Sequence, residues 1–239
     1  MSINKYISKE SISRLIKDIT YIKKNPLEDN GIYYIHDDED MLKGYAMIIG
    51  PSDTPYCGGF YLFEFDFPTN YPFSPPKVNF YTNNGEIRFN PNLYKNGKVC
   101  VSILNTWTGD QWSSCQTLNS VLLTLCSLLN NNPLLNEPGI KENHPDCNKY
   151  IKILTYGNIL VAICGMVNKQ YLPKQFENFY PIIKETFLNN YDRLTTLIQN
   201  NIDVKEYVNT TVYNSRIFVD YEKLKNELTK CKKLLEENK

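Results

Sequence analysis

The sequence predicts an α+β fold, and three observations carry that prediction. One amphipathic helical stretch lies near the start of the chain. Four strand-like runs follow, joined by short polar turns, and periodic helical segments fill most of what remains.

In order, Ile12, Leu15, Ile16, Ile19 and Ile22 recur at helical spacing after Ser8, with Glu10 in the first turn. They predict a helix capped at Ser8, stopped by Asn25-Pro26 and packed through this apolar stripe. Strands are expected at about 32–36, about 43–49, Phe60 to Phe67 and Lys77 to Tyr81. In the third, Tyr61, Phe63, Phe65 and Phe67 alternate with Leu62, Glu64 and Asp66, the pattern of a half-buried strand. Short connections make the four an antiparallel meander. Leu118, Val121, Leu122, Leu125, Leu128 and Leu129 predict a helix from about Thr117, ended by Asn130-Asn131-Asn132-Pro133. Beyond Pro145 a helix is expected to about Met166, weakest at Gly157. Pro173 opens another, with Phe176, Phe179, Tyr180, Ile183 and Phe187 on one side. The stretch from about Asp220 to Glu237 reads as a helix that either binds a partner or packs on its own domain. The expected division is a core domain over 1–166 and a C-terminal helical extension over 167–239.

The 239 residues balance 26 basic against 26 acidic side chains, so no basic excess marks a nucleic-acid or membrane-surface footprint. No apolar run approaches the ~20 residues of a membrane span. Met-Ser-Ile-Asn-Lys lacks the apolar core of a signal peptide, so the expected location is inside the cell, in the cytoplasm and nucleus. Seven cysteines, an odd number with no Cys-x-x-Cys pair, disfavour a disulfide framework and a zinc site. Cys126 and Cys164, in leucine- and isoleucine-rich helical stretches, read as buried inert thiols.

The chemistry concentrates in Arg88-Phe89-Asn90-Pro91-Asn92-Leu93-Tyr94-Lys95-Asn96-Gly97-Lys98-Val99-Cys100-Val101-Ser102. An Asn-Gly turn between Asn92 and Cys100 lets the chain fold back and bring a side-chain amide near a thiol. That pair suits acyl transfer, in which sulfur carries the acyl group and the amide donates to the oxygen that becomes negative. Asn92 has a second reading, as a residue that pins the loop beside Cys100. A cysteine protease needs a histidine against the sulfur. The only two, His36 and His144, fall in no protease-like pattern.

This run resembles the active-site segment of ubiquitin-conjugating enzymes, and its wording is most similar to the Z-type branch. Further blocks carry the likeness in order: Gly50-Pro51-Ser52-Asp53-Thr54-Pro55-Tyr56, Phe67-Pro68-Thr69-Asn70-Tyr71-Pro72-Phe73-Ser74-Pro75-Pro76, Thr106-Trp107-Thr108-Gly109 with Trp112, and Asn136-Glu137-Pro138-Gly139. The likeness spans roughly residues 8–166, with a weaker similarity beyond.

The resemblance implies the ubiquitin-conjugating fold and a cycle without metal or cofactor. Cys100 would accept ubiquitin or a ubiquitin-like modifier as a thioester from an activating enzyme, then pass it to a ubiquitin ligase or a substrate lysine. It implies Asn92 at the acyl oxygen and Glu137 as a carboxylate gate, although a lone Glu before proline is equally read as inert. It makes Lys9, Arg14 and Lys17 candidates for recruiting the activating enzyme, against the plainer reading of a solvated helix face. Phe73, Ser114 and Cys115 become a ligase-facing surface. Two departures from the commoner pattern, Asn90 where many members have His and Ser102 where many have an acid, match the Z-type branch. A non-catalytic scaffold of the same fold is the alternative, disfavoured by the intact loop around Cys100.

Overall fold

The computed structural model describes residues 7–237; the reading of Met1 to Lys5 concerns residues outside them. Helix α1 runs Lys9–Lys24, and Ser8 caps it by accepting the Ser11 N–H at 3.1 Å. Strands β1 (Ile32–His36), β2 (Lys43–Ile49), β3 (Phe60–Asp66) and β4 (Lys77–Phe80) form an antiparallel sheet in sequential order, with Met47 opposite Leu62 and Phe63 opposite Phe80. Helix α2 spans Leu118–Ser127 behind a reciprocal cap between Thr117 and Ser120.

The packing face of α1 differs from the isoleucine stripe. Ser11, Leu15, Asp18 and Ile22 are its buried residues, and Ile16 is 48% exposed. At 3.6 residues per turn, Ile16 lies roughly 130° round from the centre of that face. Asp18 takes the inward place because donors surround it: the Leu118 N–H at 3.3 Å, Arg14 Nε at 3.0 Å and the Tyr71 hydroxyl. Its carboxylate therefore sits on the N-terminus of α2, where backbone N–H groups lack partners.

Strand β3 is buried on both faces rather than one. Phe63 packs on Phe80 at 5.4 Å, and Phe65 on Tyr34 at 6.1 Å. On the opposite face Gln175 donates to Glu64, while Phe176 covers Tyr45 at 5.5 Å and Tyr81 at 5.3 Å. A short 3₁₀ turn, Lys174–Phe179, thus closes the face that alternation assigns to solvent.

The helical run Cys147–Val167 comprises α3 (Cys147–Gly157), a π-helical stretch Asn158–Cys164, and α4 (Gly165–Val167). By length and composition it is apolar enough to cross a membrane, which corrects the expectation that no segment is. Counting unbroken apolar residues missed it because Lys149, Lys152 and Asn158 interrupt the run. In the fold, 78% of its most apolar window is buried, as in a core helix. The π turns follow Gly157 and place Asn158 to accept from the Tyr61 hydroxyl at 2.7 Å and donate to the Cys57 carbonyl at 3.0 Å. Gly59 is required there, since a Cβ would lie 1.8 Å from Asn158 Oδ1. Cys164 is buried beside Cys231, whereas Cys126 is only partly buried.

Helix α5 (Tyr180–Gln199) and helix α6 (Tyr221–Glu237) pack together, with Leu224, Leu228, Cys231 and Leu235 buried. Between them lies a hairpin the periodicity did not predict, β5 (Lys205–Thr210) and β6 (Ser215–Asp220). The strands are short and each buries few residues; Ile217-Phe218-Val219 in β6 is their one apolar run, too brief to separate a strand from a loop. One hydrophobic core runs from Leu15 to Leu235 through all these elements.

Candidate active site

The loop after β4 folds back as its Asn-Gly turn requires. Gly97 adopts φ 87°, a region where a side chain is strained, and Tyr94 and Lys98 pair across the turn. This sets Asn92 against Cys100 twice: the Cys100 N–H donates to the Asn92 carbonyl at 2.9 Å, and Asn92 Nδ2 donates to the Cys100 carbonyl at 2.6 Å. Beyond the cysteine, Thr106 Oγ1 accepts the Val101 N–H at 2.9 Å and donates to the Val101 carbonyl at 3.1 Å. A 3₁₀ turn, Ser102–Leu104, follows and ends at Asn105 in the left-handed region. Cys100 is 2% exposed.

Asn90 is fully buried and has all its amide capacity used. Nδ2 donates to the Tyr56 hydroxyl at 3.1 Å and the Leu128 carbonyl at 2.8 Å. Oδ1 accepts the Asn92 N–H at 2.9 Å and Asn136 Nδ2 at 3.3 Å. Through Asn136 this network ties the segment carrying Glu137 to the segment carrying Cys100. Glu137 is half-buried and accepts from the Tyr213 hydroxyl at the tip of the β5–β6 hairpin. Burial and that carboxylate hold the Tyr213 hydroxyl protonated well above its ordinary range. Arg88 donates to the carbonyls of Asn90 and Pro91, its guanidinium lying between the rings of Tyr94 (3.9 Å) and Tyr213 (4.1 Å).

Asp146, 1% exposed, anchors the same hairpin tip. Its Oδ2 accepts the Thr211 N–H at 2.8 Å, the Thr211 hydroxyl at 2.7 Å and the Val212 N–H at 3.0 Å. Burial pushes the carboxyl up, but these donors, with Lys149 at 3.6 Å, hold it below the usual carboxylate range.

The remaining sequence-derived residues fall into two groups. Lys9, Lys17 and Phe73 project from the surface, Phe73 at 67% exposure on the loop that begins with the cis Tyr71–Pro72 bond. Arg14 is instead engaged within the fold, donating to the carbonyls of Ser114 (2.7 Å) and Gln116 and so pinning the exposed Ser114-Cys115 loop to α1. Both histidines make local bonds. His36 Nδ1 meets the Tyr34 hydroxyl at 2.8 Å, and His144 Nδ1 accepts the Asp146 N–H at 3.2 Å. Among the described residues no group of three or more His, Cys, Asp or Glu is placed to hold a metal ion. Reading the sequence missed Asn90 as a hub, Arg88, Asp146 and Tyr213. Arg88 and Asn90 had a signal, their place in the Cys100 run; Asp146 and Tyr213 had none.

The family model described as "Ubiquitin-conjugating enzyme" matches residues 14–154. Ubiquitin-conjugating enzyme E2 Z of Danio rerio is 43% identical over 193 residues, 79% of this chain and 57% of that protein. The Homo sapiens protein of the same name is 43% identical over 187 residues, 77% of this chain and 51% of its own. "Probable ubiquitin-conjugating enzyme protein 17" of Caenorhabditis elegans is 42% identical over 142 residues, 56% of this chain and 19% of that protein. The chain spans just over half the length of the two E2 Z proteins it matches. A match across more than half the chain, coinciding with the sheet, α2 and the Cys100 loop, places it: the chain belongs to the ubiquitin-conjugating enzyme family.

Proposed function

We propose that this protein carries ubiquitin or a ubiquitin-like modifier as a thioester on Cys100 and transfers it to a lysine amine or a ligase thiol. The observation that carries the reading is the double pairing of Asn92 with Cys100, which holds one amide beside one thiol. In charging, the Cys100 thiolate displaces the activating enzyme's thiol from the modifier's C-terminal carbonyl. In transfer, a lysine amine attacks that carbonyl carbon and the oxygen becomes negative. Asn92 Nδ2 turns from the Cys100 carbonyl to donate to this oxyanion. Collapse forms the isopeptide bond and returns Cys100 as a thiolate. The incoming amine, with an ordinary pKa of ~10.4, must shed a proton, and Glu137 is the carboxylate that takes it.

The partner contacts are those the family resemblance implies, and the exposure of these residues supports them. Lys9 and Lys17 on α1 face the activating enzyme and Phe73 faces the ligase, with Ser114 and Cys115 beside it on the loop Arg14 secures. The cycle runs inside the cell, in cytoplasm and nucleus.

One observation favours a second reading, a non-catalytic scaffold: Cys100 is 2% exposed, little for a thiol that must meet a partner's thioester. A charging assay separates the two, with ATP, modifier and each available activating enzyme, read on non-reducing gels. The expected result is a thiol-sensitive adduct on the wild type that disappears in Cys100→Ala. A folded wild type that forms no adduct with any modifier leaves the scaffold.

A further inference from the structure

We infer that Tyr213 is a positioning residue of the transfer site, fixing the Glu137 carboxylate through its hydroxyl and Arg88 through its ring. The inference rests on the proposed function. Three observations converge on it. Tyr213 sits at φ 66° and Asn214 at φ 47°, a left-handed tip that side chains rarely adopt. The tip persists because Asp146 accepts three hydrogen bonds from Thr211 and Val212 just before it. A strained conformation held by a buried carboxylate points the Tyr213 side chain at one place, the Asn136-Glu137 segment.

There the hydroxyl donates to Glu137 Oε2, which fixes the carboxylate's rotamer and leaves Oε1 as the acceptor for an amine. The ring lies 4.1 Å from the Arg88 guanidinium, whose other face meets Tyr94. Arg88 in turn donates to the Asn90 and Pro91 carbonyls, immediately before Asn92. The Tyr150 hydroxyl steadies Arg88 from its carbonyl side at 2.6 Å. One side chain from the β5–β6 hairpin thus touches both the carboxylate and the support of the amide. Misplacing a catalytic group by an ångström costs on the order of 100-fold, so such a contact has kinetic consequences.

The test follows single-turnover discharge of the charged full chain to free lysine. Tyr213→Phe keeps the ring on Arg88 and removes only the hydroxyl. Discharge is expected to slow by about tenfold or more, with no further slowing when the same change is made in Glu137→Gln. Only charged molecules are followed, so a folding defect lowers the amplitude and leaves the rate constant alone. Discharge at the wild-type rate constant overturns the inference, as does an undiminished effect of Tyr213→Phe in the Glu137→Gln background. A wild type that takes no thioester overturns the parent reading and this one with it. A wild type that charges and discharges while Tyr213→Phe matches it overturns this inference alone.

Discussion

The loop that carries Cys100 pairs its thiol and amide by local bonds, whereas the hairpin that leans on it is held at its tip by distant ones. Within the loop, Asn92 and Cys100 bond across eight residues, Asn90 and Asn92 across two, Val101 and Thr106 across five. The hairpin tip hangs from Asp146, 65 residues away, and from Glu137, 76 away. Asp18 works in the same long-range manner, fastening α2 to α1 across 100 residues. Local bonds form as soon as the loop turns, whereas the long-range clamps depend on the whole fold being in place. The pairing of thiol with amide therefore rests on a short stretch of sequence, and the setting of that pair on distant partners: Leu128 and Asn136 for Asn90, Asp146 and Glu137 for the hairpin tip.

If the division holds, removing a clamp costs stability and removing a loop bond costs rate. Asp18→Ala strips the partner from Arg14, Tyr71 and the Leu118 N–H together. It is expected to lower unfolding free energy by about 3–5 kcal/mol in urea titration. Asn92→Ala removes one hydrogen bond, a loss of about 1 kcal/mol, yet is expected to slow discharge to lysine by about 10²–10³. Should Asn92→Ala unfold the protein as readily as Asp18→Ala, the contrast between loop and clamp collapses. Asp146→Asn is expected to lose about 1–3 kcal/mol of stability at neutral pH, less than Asp18→Ala. Its pH dependence sharpens the comparison. The folded carboxyl lies below its unfolded value of ~3.9, so its contribution is complete above that value and disappears as pH falls through the folded value. Wild type should thus shed stability in acid titration over a window where Asp146→Asn is flatter.

The same contrast explains what was legible beforehand. Strands β1 and β2 match their expected spans, and β3 and β4 stop one residue short, because alternation and turn residues are local signals. Cys100 and Asn92 were legible for the same reason, their spacing being set by one Asn-Gly turn. Asp18 was not, since periodicity sorts a helix by hydrophobicity and gave its inward place to Ile16. Nor was Tyr213: nothing near it in sequence indicates a carboxylate 76 residues back. The outer face of β3 escaped because its cover, Phe176, lies in a different part of the chain.

That cover has a consequence during synthesis. Gln175 follows Glu64 by 111 residues, so at ribosomal rates of about 5–20 residues per second the outer face of the sheet waits roughly 5–20 s for its lid. Through that interval Tyr45 and Tyr81 on the nascent sheet lack the ring that packs on them in the finished protein.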